Sequence, residues 1–389
     1  MAERNFPERF ERRLTRPVKV GNVDIGRDAP TSVQSMTATD TQDVDATVSQ
    51  VLDLKRAGVS IVRIAVDSRK VIPATFEIRA RTVGVALSVD LQESYSLVTD
   101  VAPIFDEIRY NPGHLHHHEK GKTVAEKVEF IARTAQAYGR ALRVGVNCGS
   151  VDPRLAEKYG KDSVDAVVHS ALEHCQILDK IGFYNYTVSL KDSDPNKVVE
   201  ANTRFASLRP DVPLHLGVTE AGMPPEGVIK SRNALGRLLT LGIGETLRVS
   251  LTVDNERKSE EVIEGLKIIE DAKAGLFRFV ESWTKRAGIN IISCPSCSRV
   301  QNTSFVQLAQ RISELTSGID DINADVSVMG CRVNGPGEAD EADIGVWSGK
   351  NHVNLKRGER LVGAFGEDEI LDRFMEELGL LRAEKKQPA

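Results

Sequence analysis

The chain has 389 residues, a formal net charge of −5, 41% hydrophobic and 28% charged residues. This is the balance of an ordinary folded protein with room for one large and one small domain, and it excludes a general binding surface for nucleic acid or acidic membranes. No run approaches the ~20 apolar residues that span a bilayer.

From Thr31 onward one theme repeats: a short β-branched or apolar run, a polar loop, then a helical stretch. The expected strands are TSVQSM from Thr31, IVRIAV from Ile61, VALSVDL from Val85, EIRYN from Glu107, RVGVNCG from Arg143, YNYTVSLK from Tyr184, LHLGVTE from Leu214 and TLRVSLT from Thr246. Between them Val44–Ala57, Val124–Tyr138, Ser163–Ile181 and Lys197–Leu208 carry apolar residues at helical spacing. Roughly eight such units in ~250 residues predict an α/β fold, a closed (β/α)8 TIM-type barrel. A doubly wound open sheet is the alternative, weakened because no G-x-G-x-x-G turn follows the first strand. A helical stretch, Ser259–Arg286, comes next, and then cysteines, glycines and prolines cluster. The expected domains are therefore 15–286, the barrel, and 287–389, a small α+β domain closed by a helix beyond Glu367. Met1–Arg16 is polar, without the apolar core of a signal peptide. Five cysteines, an odd number, point to reduced thiols in the cytoplasm rather than to a secreted disulfide framework.

Strand side chains alternate between two faces. The helix-facing side of a barrel strand must be apolar, so the polar set points inward. In TLRVSLT that set is Arg248, Ser250 and Thr252; in RVGVNCG it is Arg143, Gly145 and Asn147; in YNYTVSLK it is Asn185, Thr187, Ser189 and Lys191. Arg63 falls beside Ala65, and Arg109 beside Asn111. Five cations, Arg63, Arg109, Arg143, Lys191 and Arg248, thus converge near the C-terminal mouth, where barrel active sites are built. Asp90 and Glu220 are the carboxylates nearby, too few to neutralise them, so an anion is expected, and arginine's planar fork suits phosphate. Simple alternation puts Glu220 on the helix face; only a bend before Ala221-Gly222 turns it inward.

Cys294 and Cys297 stand in C-x2-C spacing within SCPSCSR, and Cys331 lies in MGCRVNGPGE. Three thiolates fit an iron–sulfur cluster with one incompletely ligated iron; zinc with His352 as fourth ligand is the competing reading. Cys148 and Cys175 read as buried small residues, and His116–His118 as a solvated loop.

These segments resemble the 4-hydroxy-3-methylbut-2-enyl diphosphate synthases of the non-mevalonate isoprenoid pathway. The likeness, from about residue 15 to 350, is carried by VQSMT, RYNPG (Arg109–Gly113), NCGS (Asn147–Ser150), LGVTEAGM (Leu216–Met223), RVSLT (Arg248–Thr252), SCPSCSR and GCRVNGPGEA (Gly330–Ala339). The resemblance implies reductive opening of a cyclic diphosphate of methylerythritol, with electrons from a flavodoxin or ferredoxin. It implies a 4Fe–4S cluster on Cys294, Cys297 and Cys331 with Glu338 as exchangeable fourth ligand. It also implies diphosphate binding by Arg63, Arg109, Arg143, Lys191 and Arg248 with Asn111, Asn147 and Ser250, and an acid–base role for Glu220. A homodimer, each small domain covering the partner's barrel, completes the expectation. Gln92 stands where the family usually has a histidine, and both Gly275–Thr284 and the His114–His118 loop depart from its pattern.

Overall fold

The computed structural model describes residues 12–386, apart from 93, 117–118, 161–162, 277–287, 298, 301–303 and 334. A hairpin of β1 (Val18–Val20) and β2 (Val23–Ile25) comes first. Its turn, Gly21-Asn22, has Gly21 at φ 58°, the left-handed geometry that two-residue hairpin turns require. Val18, Val20 and Ile25 pack on Ile61, Ala86 and Ala141 and close the barrel floor.

The barrel strands are β3 (Ser32–Met36), β4 (Ile61–Ala65), β5 (Ala86–Gln92), β6 (Glu107–Tyr110), β7 (Ala141–Asn147), β8 (Tyr186–Lys191), β9 (His215–Leu216) and β10 (Thr246–Leu247). They run parallel in the order β8-β7-β6-β5-β4-β3-β10-β9. The Val188–Leu214 bridge joins β8 to β9 and completes the ring. The eight expected strands are all present. The last two are shorter than expected because their ladders stop after two residues, although Arg248 N still donates to the Leu216 carbonyl at 2.9 Å.

The helices between them begin at residues chosen for the task. Asp43, Ser163 and Asp194 accept from backbone amides in the first turn, and Thr123 and Glu126 form a reciprocal capping box. Their apolar faces pack on Val62, Val89, Ile108, Val144 and Val188, the outward residues of the strands. The helix after β10 is Ser259–Lys273 and ends in a turn at Ala274-Gly275, where Gly275 is left-handed; residues 277–286 of the expected helical stretch lie outside the described residues.

The second sheet holds β11 (Ile289–Ser293), β12 (Ala324–Met329), β13 (Ile344–Ser348), β14 (Val353–Arg357) and β15 (Arg360–Phe365). β11, β12 and β13 are parallel; β13, β14 and β15 are antiparallel. Helices Phe305–Thr316 and Ile370–Lys385 cover it, with Phe305, Ile312, Phe374 and Leu378 buried against Val326, Val346 and Leu355. This is a small α+β domain, as expected.

The small domain docks on the barrel of its own chain. Ala221 and Ser293 form a parallel bridge, Thr252 Oγ1 donates to the Cys294 carbonyl at 3.0 Å, and Lys258 Nζ donates to the Pro295 carbonyl at 2.6 Å. The resemblance places these contacts between subunits; in this structure they form within one chain.

Candidate functional site

One cavity at the barrel mouth is lined by Arg63, Asp90, Arg109, Asn147, Lys191, Glu220, Arg248 and Ser250 from the barrel and by Cys294, Cys297, Arg299 and Cys331 from the small domain. Alternation brings the barrel residues there: each belongs to the inward set or just follows its strand. Glu220 is the exception, and its backbone explains it. Its φ of 52° is left-handed, a conformation that is uncommon for a residue with a side chain, and the resulting bend turns a 2% exposed carboxyl into the cavity.

Glycines make room for the long cations. A Cβ on Gly145 would meet Arg109 Nε at 2.3 Å, and one on Gly217 would meet Lys191 Nζ at 2.7 Å. Gly145→Ala is therefore expected to displace the Arg109 guanidinium and to cost about 1–3 kcal/mol of stability by overpacking. A urea melt at the wild-type midpoint would contradict this.

The electrostatics are those of a site short of negative charge. Asp90 Oδ1 accepts from Arg109 at 2.9 Å, with Arg299 at 3.4 Å and Arg63 at 3.9 Å from its other oxygen. Burial pushes the Asp90 carboxyl up, but Arg109, Arg63 and Arg299 outweigh burial and hold it well below the usual carboxylate range. Burial, reinforced by Arg63, Arg143, Arg248 and Arg109, pushes the Lys191 ammonium well down.

Sequence reasoning missed two carboxylates that temper this excess. Glu107 accepts from Ser88 Oγ at 2.6 Å and faces Arg143 at 3.6 Å. Glu261, fully buried on the helix after β10, lies 3.6 Å from Arg248 and accepts from Lys258 at 2.7 Å. The expectation that only Asp90 and Glu220 stand near these cations is corrected accordingly. Lys258 and Arg299 bring two further cations, so the seven still outnumber the four carboxylates. Arg248 Nε and Nη2 are buried without a hydrogen-bond partner, donors that an anion would satisfy.

The alternation that turns Arg109 inward turns Glu107 with it, and in LHLGVTE it also turns His215 inward. His215 is buried, 3.4 Å from Thr246 Oγ1, and burial with Arg143, Lys191, Arg63 and Arg248 around it holds the imidazole neutral. Glu261 has no such signal, because it reaches the interior from a helix.

Three predicted residues lie elsewhere. Arg143 is buried below the cavity, hydrogen-bonded to Gln34 and paired with Glu107. Asn111 donates to Ser150 Oγ at 2.7 Å and accepts from Gly113 N at 3.1 Å. Glu338, on helix Gly335–Glu341, lines a neighbouring cavity with Cys148, Asp192, Lys230 and Glu341. Gln92 ends β5 after a register shift between Asp90 and Gln92. His116 Nε2 stands 3.0 Å from Asp152 Oδ2; His117 and His118 lie outside the described residues. Cys148 and Cys175 are both buried, as expected, and Cys148 also borders the second cavity.

The thiols suit iron. Cys294 and Cys331 are buried and Cys297 is half-buried; burial pushes the Cys294 thiol up, and the neighbouring Cys331 and Cys297 add to that. Gly330 N donates to Cys294 Sγ at 3.2 Å, and the Arg299 guanidinium hydrogen-bonds Cys297. Donors aimed at sulfur are what thiolates bound to iron require. Among the described residues no three His, Cys, Asp or Glu side chains converge on one metal-ion position. His352, the fourth ligand of the zinc alternative, is exposed before β14 and does not line the cavity.

Fold and site together define a class: a parallel barrel with a cation-lined mouth, covered by a small domain that presents three thiols to it. The chain belongs to the GcpE family; the GcpE TIM-barrel domain matches residues 15–265 and the GcpE protein C-terminal domain residues 290–379. It is 54% identical over 97% of its length, and 99% of the relative's, to the 4-hydroxy-3-methylbut-2-en-1-yl diphosphate synthase (flavodoxin) of Rhodopirellula baltica. The protein of the same name from Alcanivorax borkumensis is 42% identical over 90% of this chain and 89% of its own. Among solved structures, a dihydropteroate synthase from Stenotrophomonas maltophilia is similar over 67% of this chain and 98% of its own, with 17% identity and a TM-score of 0.48.

Proposed function

We propose that this chain is an iron–sulfur oxidoreductase that reductively opens 2-C-methyl-D-erythritol 2,4-cyclodiphosphate to (E)-4-hydroxy-3-methylbut-2-enyl diphosphate, a step of isoprenoid precursor synthesis. The observation that carries the reading is the single cavity in which diphosphate-seeking cations meet three thiols from the other domain. The domains are read as 15–286 and 287–389, and the relatives' names support a flavodoxin as electron donor, with a ferredoxin as the alternative.

Arg63, Arg109, Lys191 and Arg248 bind the diphosphate, with Asn147 and Ser250 as uncharged donors beside them. Arg143 acts from below, and Asn111 through the Ser150 loop. Cys294, Cys297 and Cys331 would hold a 4Fe–4S cluster, whose chemistry would be to relay the donor's two electrons one at a time. Glu338, which lines the neighbouring cavity, would be its exchangeable fourth ligand. The substrate loses a hydroxyl as its ring opens, and the Glu220 carboxyl, buried at the mouth, provides the proton with which that oxygen leaves as water. Docking of the small domain excludes water from these charges and strengthens them.

All five cysteines are free thiols, which suits a reducing cytoplasm. Among the described residues no helix is long and apolar enough to cross a membrane. Two copies that exchange small domains would keep every cross-domain contact above, so a homodimer belongs to the reading.

The test is anaerobic reduction of the cyclic diphosphate by reconstituted protein, dithionite and a dye mediator, followed by mass spectrometry. Formation of hydroxymethylbutenyl diphosphate is expected. A fully loaded, reducible protein that makes none would overturn the reading.

A further inference from the structure

Two loops at the barrel mouth are fastened to each other: residues 111–116, after β6, and residues 148–152, after β7. The second begins where β7 delivers Asn147 to the candidate site and Cys148 to the neighbouring cavity. A donor at the head of a loop is only as well placed as the contacts that hold the loop.

Three contacts join the two segments. Asn111 Nδ2 donates to Ser150 Oγ at 2.7 Å. Gly113 lies so close to the Ser150 carbonyl that a Cβ would stand 1.8 Å from its oxygen. The third is His116 Nε2, 3.0 Å from Asp152 Oδ2. The first two grip the middle of the 148–152 loop, and the third grips its far end.

Both members of that third contact are held from behind. Lys127 Nζ, on helix Val124–Ala137, donates to the Leu115 carbonyl at 2.6 Å, next to His116. Asp152 caps helix Pro153–Tyr159: its Oδ1 accepts from Arg154 N at 2.8 Å, and its Oδ2 from Arg154 Nη2 at 2.6 Å. Arg154 pairs in turn with Glu173 at 3.2 Å. Burial pushes the Asp152 carboxyl up, but Arg154 and His116 outweigh burial and hold it below the usual carboxylate range. A buried carboxylate thus ties two anchored segments together, one carrying His116 and the other Arg154.

We propose that His116 and Asp152 are positioning residues that fix the 148–152 loop and so hold the Asn147 side chain in the substrate cavity. The proposal rests on the diphosphate reading, in which Asn147 is an uncharged donor beside the cations. It also sets a ceiling. A residue that acts through Asn147 can cost no more than the Asn147 hydrogen bond itself, roughly five- to ten-fold in affinity.

The experiment measures inorganic pyrophosphate binding by calorimetry on the full-length, anaerobically reconstituted protein. Asn147→Ala is expected to weaken binding about five- to ten-fold, and His116→Ala about three-fold. The deciding readout is non-additivity. In the Asn147→Ala background His116→Ala is expected to change nothing further. It is also expected to be silent in Asp152→Asn, a substitution that keeps a capping side chain on helix Pro153–Tyr159. If His116→Ala does not fold, Asp152→Asn takes its place in the cycle with Asn147→Ala.

Wild-type affinity in His116→Ala overturns the proposal, and so does a loss that persists undiminished in either background. If Asn147→Ala binds pyrophosphate as the wild type does, the proposal falls while the cations still carry the diphosphate reading. Wild-type protein that binds no pyrophosphate removes both, and the first titration identifies that case.

Discussion

Glu261→Ala is expected to destabilise the barrel by about 3–5 kcal/mol, the usual loss when one partner of a buried ion pair is removed. Glu261 accepts from Lys258 Nζ at 2.7 Å, Ser35 Oγ at 2.9 Å and Leu251 N at 3.0 Å, and it faces Arg248 at 3.6 Å. Truncation leaves two cations and an amide buried without their acceptor. It also frees Lys258, whose ammonium holds the Pro295 carbonyl, so the cysteine loop should loosen together with the barrel. Urea unfolding followed by circular dichroism gives the stability, and Glu261→Gln, which keeps an acceptor but no charge, should fall between. A wild-type midpoint for Glu261→Ala would mean that Arg248 and Lys258 do not depend on this carboxylate.

The second large effect separates the thiols from Glu338. In Cys331→Ala the iron content and broad visible absorbance of anaerobically reconstituted protein should drop to background, and turnover should disappear with them. Glu338→Ala should keep both signals and lose turnover by about ten-fold or more, equivalent to roughly 1.4 kcal/mol of transition-state stabilisation. The contrast follows from position: Cys331 lines the cavity with Cys294 and Cys297, whereas Glu338 lines the neighbouring one beside Cys148. Loss of iron from Glu338→Ala would make that carboxylate a permanent ligand; retention of iron in Cys331→Ala would remove Cys331 from the ligand set.

Much of this was legible in the chain because two periodicities carry it. Alternation along Glu107–Asn111, Arg143–Cys148 and Thr246–Thr252 placed Arg109, Asn147, Arg248 and Ser250 inside the barrel, and repetition of strand and helix implied the barrel itself. The hairpin Val18–Ile25 had a signal of its own, a Gly-Asn turn between alternating apolar residues. Glu107 and His215 shared the parity of residues already placed inside.

The amino-acid sequence by itself determined the strand and helix order, the inward face of each strand, the clustering of cations and the three-thiol motif. These are local properties, set by which side chains sit two or about four positions apart. The tertiary structure alone decided the charge balance and the depth of each group. Glu261 reaches Arg248 from a helix, Arg143 sinks below the mouth, Glu220 enters through a left-handed bend, and Asp90 meets Arg299 across 209 positions of chain. Such partnerships depend on how separate elements pack, and the free energy of a buried charge is set by what surrounds it in space.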